Sequence, residues 1–225
     1  AENALTAHLT VSEAEGSGSL CLGARRLVEL LKEMPDQGVD VNINDDTLEV
    51  QLTYASGHYS FVGISAEQYP SFRVSGNDSE PISFSIATEQ LITGLDNTMF
   101  AVSTDEYRMI MQGVYLDITP ESITFVATDT RKLVRYIDRR TAPGVTGNCI
   151  IPVKPATVIK NVFAKDESLD ISMTSRSAIV KSDRFTFQCT FLNGTYPDYN
   201  RVIPRNNSLV LTVDRLALLN AVRRV

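Results

Sequence analysis

Ser168-Leu169-Asp170-Ile171-Ser172-Met173 repeats, in kind and in spacing, an earlier stretch, Gly38-Val39-Asp40-Val41-Asn42-Ile43. In both, apolar and polar residues alternate, as they do in a strand with one buried face. The parallel extends outward in both directions. Leu20-Cys21-Leu22-Gly23 stands as Cys149-Ile150-Ile151-Pro152 does, each a strand end that leads into an amphipathic helix. Further on, Leu48-Glu49-Val50-Gln51-Leu52 matches Ser177-Ala178-Ile179-Val180-Lys181, and Tyr59-Ser60-Phe61 matches Phe185-Thr186-Phe187. Last, Gln68-Tyr69-Pro70-Ser71-Phe72 matches Thr195-Tyr196-Pro197-Asp198-Tyr199. The offset stays at about 126 to 130 residues throughout, the mark of a copied block with small loop differences.

A second match has nearly the same shift. Ser83-Phe84-Ser85-Ile86 followed by Gln90-Leu91-Ile92 parallels Val210-Leu211-Thr212-Val213 followed by Arg215-Leu216-Ala217. The chain therefore divides into residues 1–80, the later half of one unit, residues 81–205, a complete unit, and residues 206–225, the opening strand and helix of a third. It opens on Ala1 rather than Met and stops inside an apparent helix, which reads as an internal piece of a longer chain. The first unit is then expected to leave an apolar sheet edge and helix face uncovered. Leu5-Thr6-Ala7-His8-Leu9-Thr10-Val11 and Ile123-Thr124-Phe125-Val126 alternate as half-buried strands do. Asn44-Asp45-Asp46 and Thr174-Ser175-Arg176 supply tight turns. Hairpins broken by single helices predict an α+β fold of antiparallel sheets.

The spacing predicts a helix over about residues 23–34, with Leu27, Val28, Leu30, Leu31 and Met34 on one face and Arg25, Arg26, Glu29, Lys32 and Glu33 on the other. A helix over about residues 153–165 buries Val158, Ile159, Val162 and Phe163. Its other face carries Lys154, Asn161 and Lys165, with Lys160 near the edge and no acid between them. Such a stripe suits phosphate contact without base readout; on spacing alone it is more often the pattern of an ordinary solvated face. A helix over about residues 88–100 buries Leu91, Ile92, Leu95 and Met99 but exposes Glu89, Gln90, Asp96 and Asn97, which weakens the case. The last helix adds Arg215, Arg223 and Arg224.

The 225 residues are 43% hydrophobic and 21% charged, with a formal charge of −6 and pI ≈ 5.0. That excludes a generally basic nucleic-acid binder, though not one with a locally basic face. No apolar run approaches the roughly 18 residues of a membrane span, and no signal segment opens the chain. Cys21, Cys149 and Cys189 lack CxxC spacing and sit among apolar or alternating neighbours, as reduced thiols of a cytoplasmic protein do. His8 and His58 have no second histidine at metal spacing. Gly16-Ser17-Gly18 is followed by no Gly-Lys-Ser/Thr, and no G-x-S-x-G elbow is present. Asp45-Asp46 and Asp105-Glu106 fall in turns. No catalytic residue, metal ligand or cofactor site is therefore assigned. A small α+β hydrolase or transferase remains the alternative class; carboxylates converging in a cleft would reveal it.

Three stretches of the complete unit carry a resemblance. They are Met111-Gln112-Gly113-Val114, then Val126-Ala127-Thr128-Asp129-Thr130-Arg131-Lys132-Leu133, then Gly194-Thr195-Tyr196-Pro197-Asp198-Tyr199-Asn200-Arg201-Val202-Ile203-Pro204. The second resembles the V-A-T-D-x-x-R-L segment of bacterial beta sliding clamps, the third their F-P-D-Y-x-R-V-x-P segment. The resemblance covers essentially the whole chain. It implies the DNA-clamp fold: repeated domains of antiparallel sheets outside, two helices per complete domain inside. It implies no enzyme but a processivity subunit, whose full-length form closes as a homodimeric ring around duplex DNA of any sequence, with no membrane. Arg25, Arg26, Lys32, Lys154, Lys160, Lys165, Arg215 and Arg223 would then face the DNA. It also implies a pocket between the second and third domains for linear motifs of polymerases and clamp-loader subunits. The matching positions are Met111, Thr128, Thr130, Arg131, Lys132, Leu133, Pro197, Arg201 and Val202. Two departures bear on peptide preference: Thr130 stands where the family usually has Gly, and the basic Arg131 follows it.

Overall fold

The computed structural model describes residues 3–69 and 80–225. The parallel between residues 68–72 and 195–199 therefore falls mostly outside the described residues. The first unit runs β1 (Asn3–Ala7), β2 (Leu20–Cys21), α1 (Ala24–Glu33), β3 (Asp40–Asn44), β4 (Glu49–Tyr54), β5 (Gly57–Val62) and β6 (Ile64–Ser65). The middle unit runs β7 (Ile82–Ala87), α2 (Thr88–Asp96), β8 (Gly113–Thr119), β9 (Ser122–Thr128), β10 (Leu133–Asp138), β11 (Gly147–Pro152), α3 (Val153–Val162), β12 (Ser168–Met173), β13 (Ser177–Lys181) and β14 (Phe185–Thr190). Helix α4 (Arg215–Val222) follows.

The copied block is a copied structure. β2-α1-β3-β4-β5 has the same order as β11-α3-β12-β13-β14, each a strand, a helix and a three-strand meander. The likeness reaches single strand contacts. Cys21 faces Ile64 in the β2–β6 pair, and in the middle unit the Leu192 N–H donates to the Ile150 carbonyl at 3.0 Å in the corresponding place.

The middle unit is itself two halves, β7-α2-β8-β9-β10 and β11-α3-β12-β13-β14. Each half sends its first strand into the other's sheet: β11 pairs with β8, and β7 with β12, all antiparallel. One sheet reads β10-β9-β8-β11; the other reads β14-β13-β12-β7 and is extended by β1. Both first hairpins close with the same chemistry. The Thr119 hydroxyl accepts from Ser122 N at 3.1 Å, and Thr174 from Ser177 N at 3.2 Å. In the first unit Asn44 Oδ1 accepts from Asp46 N and Thr47 N.

The core lies between the two sheets and the two helices. Phe84, Leu91, Leu95, Phe125, Ile159, Phe163, Leu169 and Phe187 are all buried in it. Gly94 of α2 shows how tight it is: an added Cβ would sit 2.5 Å from the Phe125 ring.

β1 joins the units. It pairs antiparallel with β14, Leu5 opposite Phe187, so the sheet crosses the unit boundary. In the copied block β1 stands where β10 stands in the middle unit.

Some expectations change. The helix expected over residues 88–100 ends at Asp96, where the Asn97 amide and the Thr98 hydroxyl bond back to the carbonyls of Thr93 and Gly94; a 3-10 turn, Met99–Ala101, follows. Ile92 and Met99 are half-buried. The helix expected to reach Lys165 ends at Val162, so Lys165 lies beyond it. The strand expected over residues 5–11 stops at Ala7, and Leu9 and Val11 are exposed. Residues 209–213 form no strand, because no described strand pairs with them. The first unit does leave apolar surface open: Val28, Leu31, Val41 and Ile43 are exposed, and among its described residues only Val50 and Leu52 are buried.

Candidate functional site

β9 was expected to be half-buried, yet residues 123–128 are buried on both faces. Phe125 points into the main core, while Val126 points the other way. The outer face is covered by residues 191–203. There Val126, Ile150, Tyr196 and Tyr199 form a second buried cluster, with Ile110, Tyr115, Leu133, Leu192 and Ile203 packed against it.

Tyr196 stacks on Tyr115 with ring centroids 4.7 Å apart, and Tyr199 tilts against the same ring. The Tyr199 hydroxyl donates to Asp117 Oδ2 at 3.0 Å. Burial, then the neighbouring Asp117 charge, pushes the Tyr115 phenol up to about 12, and burial does the same to Tyr196. These phenols stay neutral and act as packing. Gly194 holds φ +147 beside Ile110, where an added Cβ would come within 2.7 Å of the Ile110 side chain. The Tyr196-Pro197-Asp198-Tyr199 segment is thus a clasp on the sheet.

The edge of this clasp is an apolar shelf. Met111 and Leu133 are half-buried, and Pro197 and Val202 are exposed. Met109 is exposed close by in sequence. Charge surrounds the shelf: Arg201 pairs with Asp198 at 3.0 Å, Lys132 pairs with Asp129, and Arg131 is exposed. The Lys132 ammonium and the Lys132 and Arg131 amides hold the Asp129 carboxyl well below the usual carboxylate range. Thr128 completes the turn, donating to the Lys132 carbonyl at 2.8 Å and accepting from Thr130 N at 3.1 Å.

The structure therefore brings Leu133 and the turn 128–132 to the clasp. It ties Met111 in through residues 106–112, whose Arg108 donates to the Thr130 hydroxyl. Sequence reasoning missed Arg108, Ile110, Tyr115 and Asp117. Arg108 and Ile110 lie just before a quoted motif; the Asp117–Tyr199 bond joins residues too far apart to leave a local trace.

The helix face is more mixed than the lysine stripe suggested. Lys154, Thr157 and Asn161 of α3 are exposed on one side. Lys160 is not free, since it pairs with Asp96 of α2, which packs alongside. On α1, Arg25 pairs with Glu29 at 3.0 Å, while Arg26 and Lys32 are exposed. Arg215 and Arg223 are exposed around α4.

Cys149 and Cys189 are free and buried in the main core, and Cys21 is half-buried. Burial raises both buried thiols, Cys189 to about 12, which leaves them unreactive. A small void between the sheets, walled by Phe84, Leu91, Cys149, Ile159, Cys189 and Phe191, is wholly apolar. Among the described residues no three His, Cys, Asp or Glu side chains converge as metal ligands. No described helix is long and apolar enough to cross a membrane.

A duplicated α+β unit, with two antiparallel sheets that exchange their first strands, two adjacent helices and a tyrosine-clasped outer shelf, is a clamp-type domain. Comparison with known proteins agrees. The family described as DNA polymerase III beta subunit, central domain, matches residues 85–198. The chain is 28% identical over 220 residues to the beta sliding clamp of Synechococcus elongatus, covering 95% of this chain and 57% of that protein. It is 30% identical over 213 residues to the beta sliding clamp of Staphylococcus aureus, covering 92% and 54%. The Pseudomonas aeruginosa DNA polymerase III beta subunit, solved with griselimycin bound, superposes with TM-score 0.89 at 23% identity over 99% of this chain and 60% of that one. The chain belongs to the DNA polymerase III beta subunit family. It spans just over half the length of the curated relatives it matches.

Proposed function

We propose that this chain works as part of a sliding clamp, a non-catalytic protein that encircles duplex DNA and tethers the replicative polymerase to it. The observation that carries this reading is the joint between units, where β1 of one unit extends the sheet of the next through β14. A head-to-tail joint of this kind, repeated, makes a ring when its rotation closes, and a ring is what holding DNA by topology requires. β10 stands where β1 stands, and its outer edge has no strand neighbour among the described residues, which suits a further unit of the same kind. Two full-length chains closing head to tail make the homodimer.

Lys154 and Lys165, with Arg26 and Lys32 and with Arg215 and Arg223, supply phosphate contacts that carry no sequence information and so permit sliding. Lys160, spent on Asp96, adds little. The net charge of −6 keeps DNA affinity away from that face weak, which suits a protein that holds DNA by topology and works in the cytoplasm.

The shelf of Met111, Leu133, Pro197 and Val202, with Thr128, Thr130, Arg131, Lys132 and Arg201 around it, accepts the apolar anchor of linear motifs from polymerase and clamp-loader subunits. The Pseudomonas aeruginosa relative binds griselimycin, which supports a ligand site on a protein of this fold. The hydrolase or transferase alternative has no observation in its favour. Asp105, Asp129 and Asp198 are engaged in turns and ion pairs.

A synthetic peptide carrying a clamp-binding motif is the test. Leu133→Ala combined with Arg201→Ala is expected to weaken its binding by about tenfold or more, because apolar anchors and arginines dominate such contacts. Unchanged affinity in the double variant removes the shelf assignment.

A further inference from the structure

Among the described residues only Leu48 and Thr130 combine a side chain with positive φ, and Thr130, at φ 76, is β-branched. Such a residue holds that conformation only when its surroundings over-determine it. Here they do. Thr130 N donates to the Thr128 hydroxyl at 3.1 Å, and Asp129 Oδ1 accepts from Arg131 N and Lys132 N, each at 2.9 Å. The turn therefore fixes where the Thr130 side chain points. Its hydroxyl receives a hydrogen bond of 2.5 Å from Arg108 Nη1.

Arg108 is held from the other side as well, with Nε 3.2 Å from Asp105 Oδ2. It sits at a kink, φ −117 and ψ 52, inside the segment that carries Ile110 and Met111. The Asp105 pair alone is a solvated contact three residues apart and would let the guanidinium swing. The second bond, from a different loop, removes that freedom. The side chain remains 45% exposed, so its other N–H groups are free to meet a ligand from a fixed position.

We propose that Thr130 is a positioning residue that locks the Arg108 guanidinium at the rim of the shelf, where it selects linear motifs carrying a carboxylate beside their apolar anchor. This rests on the peptide-shelf reading above. Glycine, the residue the resemblance leads one to expect at this position, would relax the turn but has no hydroxyl to hold Arg108. An oriented guanidinium recognises a carboxylate more strongly than a mobile one, because less freedom is lost on binding.

The test titrates the 225-residue chain with two synthetic peptides that share one apolar anchor and differ only in Asp or Asn beside it. The parent is expected to prefer the Asp peptide by about fivefold. Thr130→Ser keeps the preference, because the hydroxyl remains. Thr130→Gly and Thr130→Val bring the ratio of Asp-peptide to Asn-peptide affinity to about one; a merely structural role would shift both affinities by the same factor and leave the ratio as it is in the parent. A preference that survives in both hydroxyl-free variants, or equal binding by the parent, overturns the role of Thr130 and leaves the shelf standing. If neither peptide binds the parent, the shelf reading falls and this inference with it.

Discussion

Replacing Phe125 by alanine lowers the stability of the middle unit by about 3–5 kcal/mol, the range for a fully buried aromatic. Phe125 is completely buried on β9, with Tyr136 tilted against it at 6.1 Å. Its ring also lies against the backbone of α2 at Gly94, so its loss opens a gap between a helix and a sheet that neither element can close alone. Thermal unfolding is expected to shift down by roughly 10–20 °C. The reciprocal variant tests the same contact. Gly94→Ala ordinarily favours a helix by about 1 kcal/mol, but here the new methyl would collide with the ring at 2.5 Å, for a net cost of about 1–3 kcal/mol. In a Phe125→Ala background that cost should vanish, because the space is then vacant. A Gly94→Ala penalty unchanged by Phe125→Ala would show that this packing is wrongly described.

The second large effect concerns Asp138, a nearly fully buried carboxylate at the end of β10. Its Oδ1 accepts from Arg140 Nε at 2.9 Å; its Oδ2 accepts from Thr141 N at 3.2 Å and from the Thr141 hydroxyl at 2.8 Å. That hydroxyl also meets Gln90 of α2, so the carboxylate ties the strand end to the helix. Burial alone would raise its pKa; the hydrogen bonds from Arg140 and Thr141 outweigh it and hold the carboxyl below its ordinary 3.8. Asp138→Asn should cost about 2–3 kcal/mol near neutral pH, a figure discounted because Arg140 is half-exposed. A depressed carboxylate stabilises above its unfolded pKa and loses that contribution as pH falls through the folded one. The gap between parent and variant is therefore constant from pH 5 to 8 and shrinks below about pH 4. Denaturant titrations at pH 7 and pH 3 measure it; a gap undiminished at pH 3 would refute the role of the charge.

The repeat was legible because the alternation of apolar and polar residues survives even where burial does not: Val41 is exposed and Ile171 buried. Val41 and Ile171 answer each other across the copied block, and both lie on the first strand of a meander. The duplication inside the middle unit was not legible, since β7-α2 and β11-α3 share a pattern of burial but few residues. Residues 209–213 alternate like a strand, but alternation records only a preference, and a strand exists only where a partner accepts its hydrogen bonds. The same limit applies to Lys160: its own helix carries no acid on that face, yet Asp96 of α2 takes its charge. The motifs of the shelf were visible through their resemblance. Their support was not, because Tyr115, Asp117 and Tyr199 meet only after the chain folds back over β8 and β9.

In the proposed clamp, linear motifs dock on the tyrosine-clasped outer sheet and leave the helix face free for DNA. Amide hydrogen exchange, resolved along the chain with and without a peptide carrying a clamp-binding motif, tests it most directly. Slowed exchange is expected in residues 105–112, 128–133 and 194–203, with α2 and α3 unchanged. Slowing confined to α2 and α3, or none anywhere under saturating peptide, would contradict it.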